Sequence, residues 1–284
     1  MRAALALCAL CALCALCALC ALCAVAGCGG GADGPVCSAA APGPALFGRP
    51  NAQTGLSDSQ CGPRCSCRGD SWEAPLYTAA DADALLVWTL TEPVAPLAAN
   101  PYDAPAPAPV PADAVCAVLI DAPGTHTYRL RDFDSESAAR AAGAHPTHFG
   151  ACGTCSTLAD LAVYMRYPDL TAPVQKCGLD HLGDSDPSGH VQCLQDLGFT
   201  LPCAQIWYWN TLHTRDACAR PCFLNVGEPY HLADGTLNEC LQCDEDQSGA
   251  VFKAVAGRTR RNTGIASAMC RPCEEVRPLS HVYE

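Results

Sequence analysis

HPTHFGACGTCSTLADLAVYM, residues His145 to Met165, packs two histidines, two cysteines and the start of a helix into one short run. Thr157, followed three residues later by Asp160, matches a capping box. Leu158, Leu161, Ala162 and Met165 fall at helical spacing on one face. The pattern predicts a helix that starts just after Cys155. The partial positive charge at a helix N-terminus favours thiolate, which makes Cys152 and Cys155 the candidate catalytic pair. The same run supplies a second set, His145, His148, Cys152 and Cys155, whose nitrogen and sulfur donors suit zinc or copper. A third reading takes both cysteines as halves of structural bridges to other parts of the chain. The segment alone leaves all three open.

Outward from this run, VCAVLI at Val115–Ile120 reads as a buried strand and Pro123-Gly124 as a turn. TYRLRDF at Thr127–Phe133 then reads as the second arm of a hairpin. Ser135 caps an Ala-rich helix that Gly143 ends. Further back, DADALLVWTLT at Asp81–Thr91 fits either a helix capped by an aspartate or a buried strand. Pro93 to Pro111 holds seven prolines in nineteen residues and predicts an extended connection. Beyond Pro168 short helices are expected. One contains Cys193 and ends at Gly198; the next starts at Pro202 and runs through Trp207, Trp209 and His213 toward Cys218. The tryptophans are expected in the core, and loops and turns are expected from Asn225 onward. The fold class is α+β and disulfide-rich, a small hairpin-containing sheet followed by short helices and long loops. Residues 1–26 read as a signal peptide or signal-anchor, 27–44 as a flexible Gly/Ala/Pro-rich segment and 45–92 as a small Cys-containing region. Residues 93–111 are a linker or strap, and 112–284 the main α+β domain.

The order strand, helix, short segment, Cys-x-x-Cys, helix resembles the first part of a thioredoxin-type redox domain, with Phe149-Gly-Ala-Cys152-Gly-Thr-Cys155 similar to that family's active-site approach. The resemblance covers about forty residues. It implies an exported thiol–disulfide enzyme, with the histidines tuning the couple. Cys152-Gly-Thr-Cys155 also resembles the Cys-Gly-Ser-Cys of papain-type proteases. That family places a histidine and then an asparagine-bearing segment far downstream, and His281 leaves no room for the latter.

The compartment weighs on how the cysteines are read. Met1-Arg2 is followed by an apolar run from Ala3 to Ala26 containing the unit Cys-Ala-Leu five times and ending Ala24-Val25-Ala26. A charged start, an apolar middle and a small-x-small end are the parts of a signal peptide. The run is also long enough for an uncleaved signal-anchor. Val25-Ala26-Gly27-Cys28 resembles the lipobox of bacterial lipoproteins, which implies a lipid on Cys28. Each reading places the rest of the chain outside the cytosol, secreted or held at a membrane only by its N-terminus. Of 23 cysteines, six lie in the apolar run, Cys28 follows, and sixteen extend from Cys37 to Cys273. An even set in an exported chain predicts a disulfide framework of up to eight bridges.

Three further motifs carry chemistry. Cys218, Cys222, Cys240 and Cys243, with Cys270 and Cys273 beyond, have zinc-finger-like spacing, although export favours disulfides. Asp244-Glu-Asp246-Gln-Ser248-Gly249 matches half of an EF-hand loop, but Val255 stands where the bidentate acid belongs, so a solvated acidic turn is expected. Arg258, Arg260 and Arg261 form the one basic cluster, a candidate anion site that also resembles a furin-type cleavage site. Surface arginines paired with Asp244–Asp246 are the plainer alternative. The chain's net charge of −12 excludes nucleic acid as a partner. The leading expectation is an exported binding or structural protein with an unknown extracellular partner or small molecule. A thiol enzyme and a His/Cys metal protein are the alternatives.

Overall fold

VCAVLI is apolar on both sides of its pleat, and such a strand needs neighbours on both edges and cover on both faces. In the computed structural model, which describes residues 37–38, 44–67, 70–105, 108 and 110–283, it is an inner strand of a four-stranded sheet. The N-terminal apolar run, its cleavage site and Cys28 lie outside the described residues. Elements are numbered in chain order. Strands β1 (Leu46–Phe47), β2 (Cys61–Gly62), β3 (Arg64–Cys67) and β4 (Asp70–Glu73) come first. Helix α1 (Ala79–Leu85) and strand β5 (Thr89–Leu90) follow. The stretch from Asp81 to Thr91 is therefore a helix and then a strand, and Thr78 rather than an aspartate is the cap, with Asp81 completing a capping box.

Strand β6 (Val115–Ile120) pairs antiparallel with β7 (Thr127–Phe133), the expected hairpin, and on its other side with β8 (His145–Phe149). The order is β5-β7-β6-β8, so β8 is an edge strand. That position tolerates Pro146, which has no N–H to donate, and the pairing slips beside it between Cys116 and Ala117. Between β7 and β8, α2 (Glu136–Ala141) is capped by Ser135 as expected.

Helix α3 (Leu158–Arg166) follows the Cys-Gly-Thr-Cys loop, with Thr157 as N-cap accepting from the Asp160 amide. Leu158, Leu161, Ala162, Val163, Tyr164 and Met165 are all buried, so more than one face is covered and the helix runs through the core. Asp160 ties α3 to the start of the long helix, accepting from the Thr200 amide at 2.9 Å and its hydroxyl at 3.0 Å. Burial raises its carboxyl to about 6. Helices α4 (Thr171–Asp180), α5 (Ser188–Asp196) and α6 (Leu201–Leu224) follow and pack on one another. The expected start at Pro202 is observed, and α6 kinks at Cys218 ahead of Pro221.

Past Asn225 loops and turns hold most of the residues, as expected, but three short helices interrupt them. Helices α7 (Glu239–Gln247), α8 (Gly249–Ala256) and α9 (Arg260–Thr263) occupy this region before the short strand β9 (Arg271–Pro272). The acidic Asp244-Glu-Asp246 run is thus helical and not a turn, because Asn238 caps α7 upstream of it.

All sixteen cysteines from Cys37 onward pair into eight disulfides. The zinc-finger-like set forms two bridges, Cys218–Cys243 and Cys222–Cys240, and so offers no thiolates. Cys61–Cys270 and Cys65–Cys273 join the N-terminal strands to the C-terminal segment, where β9 pairs with β1. So many bridges indicate an oxidising, extracytoplasmic setting. Among the described residues no helix is long and apolar enough to cross a membrane.

The two long-range bridges close nearly the same loop. Removing either alone, as a Cys61→Ala/Cys270→Ala or a Cys65→Ala/Cys273→Ala variant, should lower stability by about 2 kcal/mol, since the survivor keeps the ends together. Removing both should cost about 7 kcal/mol, well beyond the sum, in denaturant titrations of the three variants.

Candidate functional site

The Cys-Gly-Thr-Cys loop does not hold a dithiol couple. Cys152 is bonded to Cys116 on β6, and Cys155 to Cys203 on α6. Cys155 does precede a helix N-terminus, but it is fully buried and its sulfur is committed. The thioredoxin-like order of elements therefore carries a different connectivity.

The loop is a clamp on the end of α8. The Thr154 and Cys155 amides donate to the carbonyls of Val255 and Ala256, both at 2.9 Å. A Cβ on Gly153 would lie 2.4 Å from the Val255 carbonyl oxygen, and one on Gly257, whose φ is +73°, would lie 2.6 Å from the Gly153 nitrogen. Only glycines permit this approach.

Arg258 emerges from the contact and is fully buried. Its Nε donates to Cys155 O at 2.9 Å, Nη1 to Thr147 O at 3.0 Å, and Nη2 to Thr147 Oγ1 at 2.7 Å and Ser156 O at 2.9 Å. The guanidinium thus joins β8, the loop and α8, and is not a surface anion receptor. Arg260 is spent on the carbonyls of Tyr164 and Tyr167. Arg261 pairs with Glu245 and Glu275. The basic cluster is divided among three places, and the burial of Arg258, with Arg260 held on two backbone carbonyls, removes the protease access that a furin-type site needs. The plainer pairing with the acidic run holds for Arg261 alone.

The four metal candidates are likewise not gathered. His148 donates from Nδ1 to Phe149 O at 3.0 Å, so Nε2 accepts the Ser156 hydroxyl at 2.7 Å. Both ring nitrogens are used, both sulfurs are in bridges, and His145 packs at a tilt against Tyr283. Cys116, Asp132 and Cys152 do bring three donor atoms together, but the sulfurs are bonded to each other and Asp132 accepts from the Cys152 amide. The His148–Ser156 pair has the look of an activated hydroxyl, yet neither residue has accessible surface. Burial first, and Arg258 second, hold the His148 imidazole well below its ordinary range and keep it neutral.

Accessible space lies elsewhere. A cleft of about 550 Å³ opens among α4, α5, α6 and α7, within the range of ligand cavities. Val174, Trp207, Tyr208 and Phe252 are among its walls. Leu179, Leu182, Phe223 and Val226 also line it and are 53, 56, 80 and 57 % exposed. Bridges brace the frame: Cys177–Cys193 ties α4 to α5, and the Cys218 and Cys222 bridges tie α6 to α7. Helices α4 and α6 meet so closely that a Cβ on Gly178 would lie 2.8 Å from the Thr211 methyl. Among the described residues, two buried side-chain polar atoms lack a partner, His190 Nε2 and Trp207 Nε1, and both residues line the cleft. The sequence reading missed this cleft. Its lining is spread over several helices, and the members that stood out in the sequence, among them Trp207, Asp244, Arg260 and Arg261, did so for other reasons.

Residues 188–278 match the model of a family described as Family of unknown function (DUF8771). The match spans α5 to β9, and so includes much of the cleft wall and both bridges from α6 to α7. No curated protein and no solved structure matches the chain.

His148 and His281, the latter held at about 3 by burial and by Arg258, stay neutral when folded. Unfolded, both protonate below about 6.5. Their contribution is therefore complete above pH 6.5 and is lost as pH falls toward about 3 for His281. Thermal melts should show a midpoint at pH 5 at least roughly 4 °C below that at pH 7. An unchanged midpoint would contradict the neutral, buried imidazoles. Arg258→Met, which leaves the Thr147, Cys155 and Ser156 oxygens without their donor, should cost about 3 kcal/mol by denaturant titration.

Proposed function

We propose that the chain is an extracytoplasmic binding protein whose cleft among α4, α5, α6 and α7 takes a small, largely apolar molecule. The carrying observation is the continuity of buried apolar walls with exposed apolar lips at Leu179, Leu182, Phe223 and Val226. Scattered exposed apolar residues need no explanation, but a contiguous set around a concave opening marks a binding surface. The unpartnered His190 and Trp207 nitrogens add support, since buried polar groups without partners are scarce and concentrate where something else supplies them. The disulfide bracing fits a preformed site, which loses little order on binding. The cysteine loop, by contrast, offers neither a free thiol nor an accessible hydroxyl to a substrate.

The test is a titration of the oxidised chain with the neutral fluorophore N-phenyl-1-naphthylamine. Saturable, blue-shifted emission at one site per chain is expected. Placing charges on the lips with Leu182→Glu and Phe223→Glu should weaken it about tenfold, as a loss of roughly 1.4 kcal/mol. Emission that stays linear in fluorophore, or is indifferent to both substitutions, would refute the cleft as the site.

A further inference from the structure

The cleft wall formed by α8, α9 and β9 carries Lys253, Arg261 and Arg271. All three converge on one carboxylate. Lys253 Nζ lies 3.1 Å from Glu245 Oε2, Arg261 Nη2 2.9 Å from the same oxygen, and Arg271 Nη2 2.6 Å from Oε1. Glu275 takes the other end of Arg261. At contact distance Glu245 faces all three cations and Glu275 one of them, and the field of Arg271 also reaches Asp244 on the same cleft. Burial alone would raise the Glu245 carboxyl, but Arg271, Arg261 and Lys253 together outweigh it and hold it at about 2.

Arg271 is the cation with donors to spare. Its side chain is only 16 % exposed. Nη2 reaches Glu245 and the sulfur of Met269, while Nε and Nη1 have no protein partner among the described residues. Neither nitrogen is sealed from solvent. A guanidinium removed from bulk water, with donors left over beside a cavity, is a receptor for an anionic oxygen. The cleft's own carboxylates do not fill this role. Asp184 is held by His181 and Asp186 by Ser188 on the turn between α4 and α5. Asp169 accepts from Tyr230, and Asp244 from Thr214 and Asn210.

We infer that the ligand is an amphipathic alkyl carboxylate, its chain lying in the apolar trough and its single negative charge at Arg271 and Lys253. This rests on the reading of the cleft as an apolar binding site and names the chemistry of what it holds. Charge complementarity at one wall and apolar surface along the others select such a molecule over a neutral hydrocarbon or a cationic amphiphile.

Three ligands of one chain length decide it: dodecanoate, dodecanol and dodecyltrimethylammonium, each displacing N-phenyl-1-naphthylamine from the oxidised chain below its micellar concentration. Dodecanoate should displace at about tenfold lower concentration than dodecanol, and the cation should be weakest. Arg271→Gln should bring dodecanoate to the affinity of dodecanol while leaving dodecanol unchanged, which also reports an intact cleft. Arg271→Lys should keep part of the preference. Lys253→Met, at a more exposed position, should reduce the preference about threefold and carries the test if Arg271→Gln does not fold. Equal displacement by all three ligands, a preference for the cation, or an undiminished carboxylate preference in Arg271→Gln or Lys253→Met would overturn the inference and leave the apolar cleft standing. Failure of every ligand to displace the fluorophore would overturn both.

Discussion

A charge with no carboxylate in contact holds the centre of this fold together. Arg258 has no accessible surface, and among the described residues no acid lies within ion-pair distance of it. Four hydrogen bonds to three carbonyls and a hydroxyl replace its water. Such an arrangement survives only where every acceptor is fixed in advance, because a buried cation that loses its partners costs several kcal/mol. The acceptors are fixed by the rest of the structure. Thr147 is the bulged residue of β8, held between the Cys116–His148 and Ala117–Pro146 pairs, and the loop bearing Cys155 and Ser156 is bridged at both cysteines, to β6 and to α6. The C-terminal segment adds Tyr283, whose hydroxyl donates to Thr147 Oγ1 at 3.0 Å.

The same economy appears at the cleft. With aromatic residues at only 6 % of the chain, few large side chains are available to pack helix against helix. Disulfides take over that work: eleven of the sixteen half-cystines are buried, and the bridges between α4 and α5 and between α6 and α7 frame the opening. Apolar side chains that would otherwise be consumed in helix contacts are left facing the trough. The bracing and the cavity are thus two results of one composition.

Much of the sheet was legible because its signals are local. The hairpin of β6 and β7, the Ser135 and Thr157 caps and the first-turn Pro202 each depend on residues within a few positions of one another. The even set of cysteines also pointed to full pairing, which the eight bridges bear out. What could not be read was set by distance along the chain. Cys152 and Cys155 are three residues apart, yet their partners lie 36 and 48 residues away on different elements. Nothing at the motif distinguishes that arrangement from a local dithiol. The Glu239–Gln247 helix was hidden by its polar sequence, since it has no buried residue and relies on its cap and bridges. The cleft was hidden because a cavity is a property of how four helices meet, not of any one of them.

The tie between the N-terminal strands and the C-terminal segment also has a bearing on how the chain is assembled. Synthesis runs from the N-terminus, so Cys61 and Cys65 are made long before Cys270 and Cys273, over two hundred residues later. During that interval β1 lacks one of its two neighbours, since β9 has not yet been made. Bridges with short separations, such as Cys177–Cys193 and Cys222–Cys240, meet a far smaller entropic barrier and close as their segments appear. By separation alone, this ring has the largest closure entropy of the eight bridges. Until it closes, the Cys61 and Cys65 thiols are open to exchange with the other cysteines of the chain.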